Sequence, residues 1–172
     1  TLKESHQRLI DHFQVSETAF GLSYKEAYSN GAWQKLETER CYHAVSIEAE
    51  RAGTTVACNS FMMAFRWRWQ YAAEIVRICR QVGVESKEPA IQYLADILAT
   101  LQQAYDRKNS DVFIEATGSV IRREDLSQIG RAAIFARRAR MFKLQGKYSE
   151  ALVDLTRAIE MDGSDASQYA AR

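Results

Sequence analysis

An all-α fold of stacked antiparallel helical hairpins is the class this sequence predicts, and three observations carry the prediction. Apolar residues recur at three- and four-residue intervals along most of the chain, the period of a helix with one buried face. One proline and eight glycines in 172 residues leave few places where a helix is forced to break. Near the end, Phe135, Ala136 and Arg138 return 34 residues on as Tyr169, Ala170 and Arg172. A period of that length marks architectures whose units bury a face only against a neighbour.

The elements follow in order. Residues 1–53 hold degenerate hairpin material. A helix over 2–13 is read from Leu9, Ile10 and Phe13, and a second over 17–30 from Phe20, Tyr24, Ala27 and Tyr28, with Asn30-Gly31 as a turn signal. The next, over 33–52, carries Trp33, Leu36, Cys41, Ala44, Ile47 and Ala52; Gly53 is expected to stop it and Thr54-Thr55 to cap its successor. Residues 54–83 form a further degenerate hairpin. Sliding the clear repeat back by 79 residues sets Trp69 under Tyr148, Ala72 under Ala151, Val76 under Leu155 and Cys79 under Ala158, which predicts a break near Arg68. No glycine marks that turn, so one continuous helix over 56–82 stays open as the alternative. Gly83 is read as its end, Ser86 as a cap and Pro89 as a first-turn residue.

Residues 86–123 are the third hairpin. Its first helix runs through Ile91, Leu94, Ile97, Leu98, Leu101 and Tyr105, a polar turn covers 106–110, and Val112, Phe113, Ala116, Val120 and Ile121 make a short second helix. Residues 127–163 are the regular unit. Phe135, Ala139 and Phe142 share one face of a helix over about 128–145, Gly146 turns the chain, and Tyr148, Ala151, Leu152, Leu155, Ala158 and Ile159 form the answering stripe. Small residues at Ala151 and Ala158 allow close helix approach. Met161-Asp162-Gly163-Ser164 ends that helix, and 164–172 starts another repeat.

This unit resembles the tetratricopeptide repeat (TPR) family, whose aromatic and small-residue pattern is matched by Phe135, Ala139, Phe142, Ala151 and Ala158. The resemblance is clear over about 132–163 and degenerate elsewhere. Arg138 stands where leucine is usual, Leu155 where an aromatic is usual and Gly163 where proline is usual. The family implies a TPR-like α-solenoid, a right-handed superhelix with a concave groove that binds a peptide or protein segment. It also implies that the first helix of each hairpin lines the inner surface. A protein-interaction scaffold rather than an enzyme is thus the expected function. The second reading is a regulatory or sensor repeat domain of a larger signalling ATPase or other enzyme.

Composition narrows this further. A net charge of +1 gives no general attraction to nucleic acid, so no nucleic-acid partner is expected. No apolar run is long enough to span a membrane, and the first residues do not read as a signal peptide. Cys41, Cys58 and Cys79 are odd in number and widely spaced, which favours reduced buried thiols and a cytoplasmic location. The absent initiator methionine and the half repeat at 164–172 read as a piece of a longer protein, with self-association through the open last repeat as a consequence.

No cofactor, metal or catalytic motif is found: the chain has no phosphate loop, no Gly-x-Ser-x-Gly, no His-Glu-x-x-His and no Cys-x-x-Cys. Cys41 and His43 are two apart on a helix and do not converge, His6 and His12 share no face, and Glu37, Glu39, Glu48 and Glu50 read as a solvated face. Two clusters rise above this background. In the run from Phe61 to Tyr71, large apolar side chains surround the helix, which means either burial on several sides or a binding face. In the second case Trp67 or Tyr71, with Arg66 or Arg68, would anchor a peptide. The other cluster is Arg131, Arg137, Arg138, Arg140 and Lys143. With Arg137 and Arg140 toward the groove, an acidic peptide or a carboxylate is the matching ligand; with the cations paired to Glu150, Asp154 and Glu160, the helix is an ordinary solvated flank.

Overall fold

A computed structural model of the chain describes residues 1–47 and 52–162. Every regular element among these is helical: α1 (Leu2–Ala19), α2 (Tyr24–Ala27), α3 (Gly31–Ile47), α4 (Ala52–Trp67), α5 (Trp69–Ser86), α6 (Pro89–Asp106), α7 (Ser110–Ile121), α8 (Gln128–Leu144) and α9 (Tyr148–Met161). The all-α prediction therefore stands. The chain divides into two compact units, Thr1–Leu98 and Ala99–Arg172. The recurrence at Tyr169–Arg172, the stop at Gly163 and the charges at Glu48 and Glu50 lie outside the described residues.

In the first unit, the two helices expected before residue 31 are mostly one. Nothing between Phe13 and Glu17 breaks a helix, and His6, Ile10, Phe13 and Glu17 continue a single half-buried stripe at helical spacing. The break comes at Gly21, whose φ of 61° is a left-handed conformation that glycine adopts without steric penalty. Asn30 then caps α3, its side-chain oxygen accepting from the amides of Ala32 at 2.9 Å and Trp33 at 3.0 Å.

Gly53, Thr54 and Thr55 lie inside the first turn of α4 and do not separate two helices. From there Phe61, Met62, Met63, Ala64 and Phe65 are all buried. The all-round apolar run is thus an inner helix, packed against both α3 and α5. Tyr42 Oη lies 3.4 Å from Glu85 and Tyr71 Oη 2.9 Å from Thr38 Oγ1, so α3 and α5 run side by side in the same direction.

The break predicted near Arg68 is present. Arg68 closes α4 through its amide to the Ala64 carbonyl at 2.7 Å, then leaves the helix at φ −143°, ψ 71° to start α5. Lys147, the equivalent residue 79 positions on, starts α9 with φ −84°, ψ 70°. The aligned pairs Ser60 and Ala139, Ala72 and Ala151, and Cys79 and Ala158 are buried in both hairpins. Where α8 turns into α9, Gly146 supplies a φ of 73°. The earlier hairpin turns on a single non-glycine residue.

Gly83 does not end its helix. α5 continues to Ser86 and stops at Lys87, which is left-handed at φ 58°. Gly83 instead lets α6 come close: the Gln92 side chain donates to the Gly83 carbonyl at 2.8 Å, and a Cβ built at Gly83 would sit 3.0 Å from Gln92 Cγ. Gly83→Val should therefore overpack this contact and destabilise the first unit by about 1–3 kcal/mol in urea unfolding. A midpoint equal to the parent's would show that the approach tolerates a side chain.

The second unit is built on α8, which is buried on more than one side through Ala132, Ala133, Ile134, Phe135, Ala139 and Met141. It packs against α7 and, more extensively, α9. Phe135, Ala132 and Ala158 form the centre of that contact, with Leu155 and Met161 around them. On the far side of α9, Leu152 and Ile159 remain exposed.

Candidate functional site

Three arrangements concentrate polar chemistry. The first is a charged cluster inside the amino-terminal unit. Glu37 falls at helical spacing between Trp33 and Cys41, so α3 turns it inward, and it is 1% exposed. Its carboxylate accepts from Arg40 Nη2 at 2.6 Å and Nε at 2.8 Å, from the Ser60 hydroxyl at 2.5 Å, and from the Tyr28 hydroxyl at 3.4 Å. Arg40 reaches back to Glu17 on α1 at 3.3 Å. Two carboxylates therefore share one guanidinium, and Glu17 Oε1 is buried with no hydrogen-bond partner. Burial, reinforced by the Glu37 charge and opposed by Arg40, pushes the Glu17 carboxyl up to about 8. The solvated-face reading of Glu37 is thus corrected: it belongs to the core.

One turn further along α3, His43 meets α1 again. Its Nδ1 lies 2.7 Å from Nδ1 of His6, and its ring stacks on Phe13 at 5.9 Å. Burial and the neighbouring His6 lower the His43 pKa, against a smaller upward pull from Glu39. Cys41 is fully buried, and burial pushes its thiol well above its ordinary range, which removes it as a nucleophile. All three cysteines are buried as reduced thiols. Among the described residues, no group of three or more His, Cys, Asp and Glu side chains is placed to hold a metal ion. No helix there is long and apolar enough to cross a membrane.

The second arrangement is an open groove of about 730 Å³ along the α3–α5 seam. Gln34, Lys35, Thr38 and Glu39 line it from α3, and Arg68, Gln70, Tyr71 and Glu74 from the α5 side. Of the residues singled out in the aromatic run, the structure brings Tyr71 and Arg68 here. Tyr71 is largely buried, and its hydroxyl donates to the Gln34 carbonyl at 2.9 Å, so it builds the floor of the groove and fixes its width. Arg66 and Trp67 are elsewhere. The Arg66 guanidinium lies over the Trp67 ring, 4.3 Å from its centroid, and Trp67 Nε1 is buried with no hydrogen-bond partner.

The third lies in the carboxy-terminal unit, where four of the five cations singled out on α8 divide by role. Arg131 closes the end of α7, donating to the carbonyls of Ile121 at 2.8 Å and Leu126 at 3.2 Å, and to that of Arg123. Arg138 forms a two-pronged pair with Asp154, at 2.6 and 2.8 Å. Arg137 and Arg140 converge on Tyr105, donating to its hydroxyl at 2.6 and 3.0 Å, with both guanidinium groups near the ring face. Arg140 is exposed and Arg137 partly so. Tyr105 is the residue missed by sequence reasoning here, because nothing in its local pattern says which helix it meets. Compared with family models, curated proteins and solved structures, the chain matches none.

Proposed function

We propose that the protein is an interaction module that holds an extended peptide or protein segment, and that the α3–α5 groove of the amino-terminal unit is its binding surface. The observation that carries this reading is the groove itself. It is open, about 730 Å³, and walled by two parallel helices, with polar side chains at intervals along both. Rigid helical walls suit recognition of a flexible segment, because the ordering cost falls on the ligand alone. Tyr71 lines the groove, and Gln34, Thr38 and Gln70 offer hydrogen-bonding groups along it.

Charge selects the segment. Lys35 and Arg68 sit toward the amino-terminal ends of α3 and α5, and Glu39 and Glu74 follow about one to two turns along the same helices. A segment with an acidic residue at the first end and a basic residue at the second matches this polarity. This refines the acidic-ligand expectation, and it moves the ligand from the first helices of the hairpins to α3 and α5, of which α5 aligns with the second helix of the clear repeat. The TPR-like solenoid reading is supported by the shared break geometry at Arg68 and Lys147 and by the aligned buried small residues.

The test is a peptide-array screen against the whole chain, followed by fluorescence-polarisation titration of the strongest sequences. Lys35→Glu with Arg68→Glu should weaken a selected acidic-to-basic segment at least tenfold, since two rim attractions become repulsions. Array sequences without that polarity, or affinities indifferent to the double change, would reject the groove as the site.

A further inference from the structure

We propose that α1 is a pH-released latch on α3, held at one end by Glu17 and Glu37 sharing the single guanidinium of Arg40 and at the other by the His6–His43 contact, and loosened as the pH rises. The geometry shows why this helix can detach. α1 has no fully buried residue, although it lies along α3 for most of its length. Its docking stripe is His6, Ile10, Phe13 and Glu17, two apolar residues bracketed by two titratable ones. Little apolar burial holds the helix down, so the end groups decide how firmly it stays.

At the Glu17 end, the facing groups are Glu37 and Arg40 on α3, with the buried Cys41 thiol of the same helix within electrostatic reach; Tyr28 after α2 and Ser60 of α4 occupy the other oxygen of Glu37. Arg40 gives Glu37 two short bonds and Glu17 one longer contact. A proton on Glu17 removes the like-charge repulsion and the penalty of an unpartnered buried carboxylate oxygen. At the His6 end, the facing groups are His43 and Glu39 of α3. Two ring nitrogens 2.7 Å apart need one of them unprotonated, to accept from the other.

The direction follows from proton linkage. Undocked, Glu17 returns to the ordinary 4.5, whereas docked it titrates near 8, so the docked state binds more protons between those values and rising pH favours release. His43 is lowered from 6.5 when docked, so falling pH below 6.5 also favours release. The two effects oppose one another below 6.5, and between 6.5 and 8 Glu17 acts alone. One linked proton changes the latch equilibrium by at most about tenfold per pH unit.

Hydrogen exchange of the whole chain, followed by mass spectrometry and divided by the intrinsic exchange rate at each pH, reads this directly. Protection of α1 amides should fall several-fold from pH 6.5 to 8 while that of α4 and α5 holds. Glu17→Gln, which keeps the shape of the protonated acid, should leave α1 protection flat over the same range, and Glu17→Ala should be flat at a lower level. Constant protection of α1 in the parent, an equal loss in α4, or a Gln variant that follows the parent would each overturn the latch.

Discussion

Arg138→Leu should destabilise the carboxy-terminal unit by about 3–5 kcal/mol, even though leucine is the residue the repeat pattern expects at that position. Asp154 is 2% exposed, and the guanidinium that would be removed binds both of its oxygens. Leucine would leave a carboxylate inside the α8–α9 contact without its counter-charge. The same guanidinium lies 5.3 Å from the Phe135 ring centroid and 5.7 Å from that of Phe142, so the substitution also removes packing on both aromatics. Arg138→Leu combined with Asp154→Leu should recover most of the loss, because an apolar pair of similar volume replaces a desolvated ion pair at little net cost. Urea unfolding of the full chain, read at the second unit by hydrogen exchange of α9, distinguishes the three proteins. A single variant as stable as the parent, or a double variant no better than the single, would show that the pair does not hold the hairpin.

That pair also marks the limit of what the sequence discloses. The hairpin limits at Arg68 and Gly146 were legible, one from internal alignment and the other from turn chemistry, because both depend on residues close in the chain. Three inner charges were not read as buried, although pairing of the α8 cations with Asp154 was one of the alternatives, there as a solvated flank. Glu37 stands between Trp33 and Cys41 at four-residue spacing, Asp154 between Ala151 and Ala158, and Arg138 between Phe135 and Phe142. Each occupies the apolar stripe of its own helix, so periodicity alone placed it inward. What periodicity cannot supply for Glu37 is the partner that makes burial tolerable, since Ser60 is 23 residues away on another helix. Gly53 and Gly83 were misread for the converse reason. Glycine signals a helix end only when the backbone needs a left-handed turn, and Gly83 serves a close helix contact instead. Of the candidate binding residues, Tyr71 reached the groove, while Arg137 and Arg140 were gathered by Tyr105, across a separation no local rule spans.

Glu37→Leu should be the most damaging single change in the amino-terminal unit, at about 3–5 kcal/mol. The carboxylate joins three elements, receiving Arg40 on its own helix, Tyr28 from the segment after α2 and Ser60 from α4. Its loss removes the acceptor of the Ser60 and Tyr28 hydroxyls, and it leaves Arg40 with only the longer contact to Glu17. Glu37→Gln should be milder, because the amide oxygen still accepts from Ser60 and Tyr28. Both variants remove the negative charge that faces Glu17, and Arg40 then has a single carboxylate to serve. The Glu17 carboxyl should accordingly titrate below the parent's value of about 8, which lowers the upper end of the window over which rising pH loosens α1 and shrinks the total loosening. Carbon-13 labelling of glutamate side chains reads that titration directly, and thermal melts rank the two variants. Equal melting temperatures for Glu37→Leu and the parent would show that the cluster contributes nothing to the fold. A Glu17 titration unmoved in Glu37→Gln would show that burial alone, without the second carboxylate, sets its proton affinity.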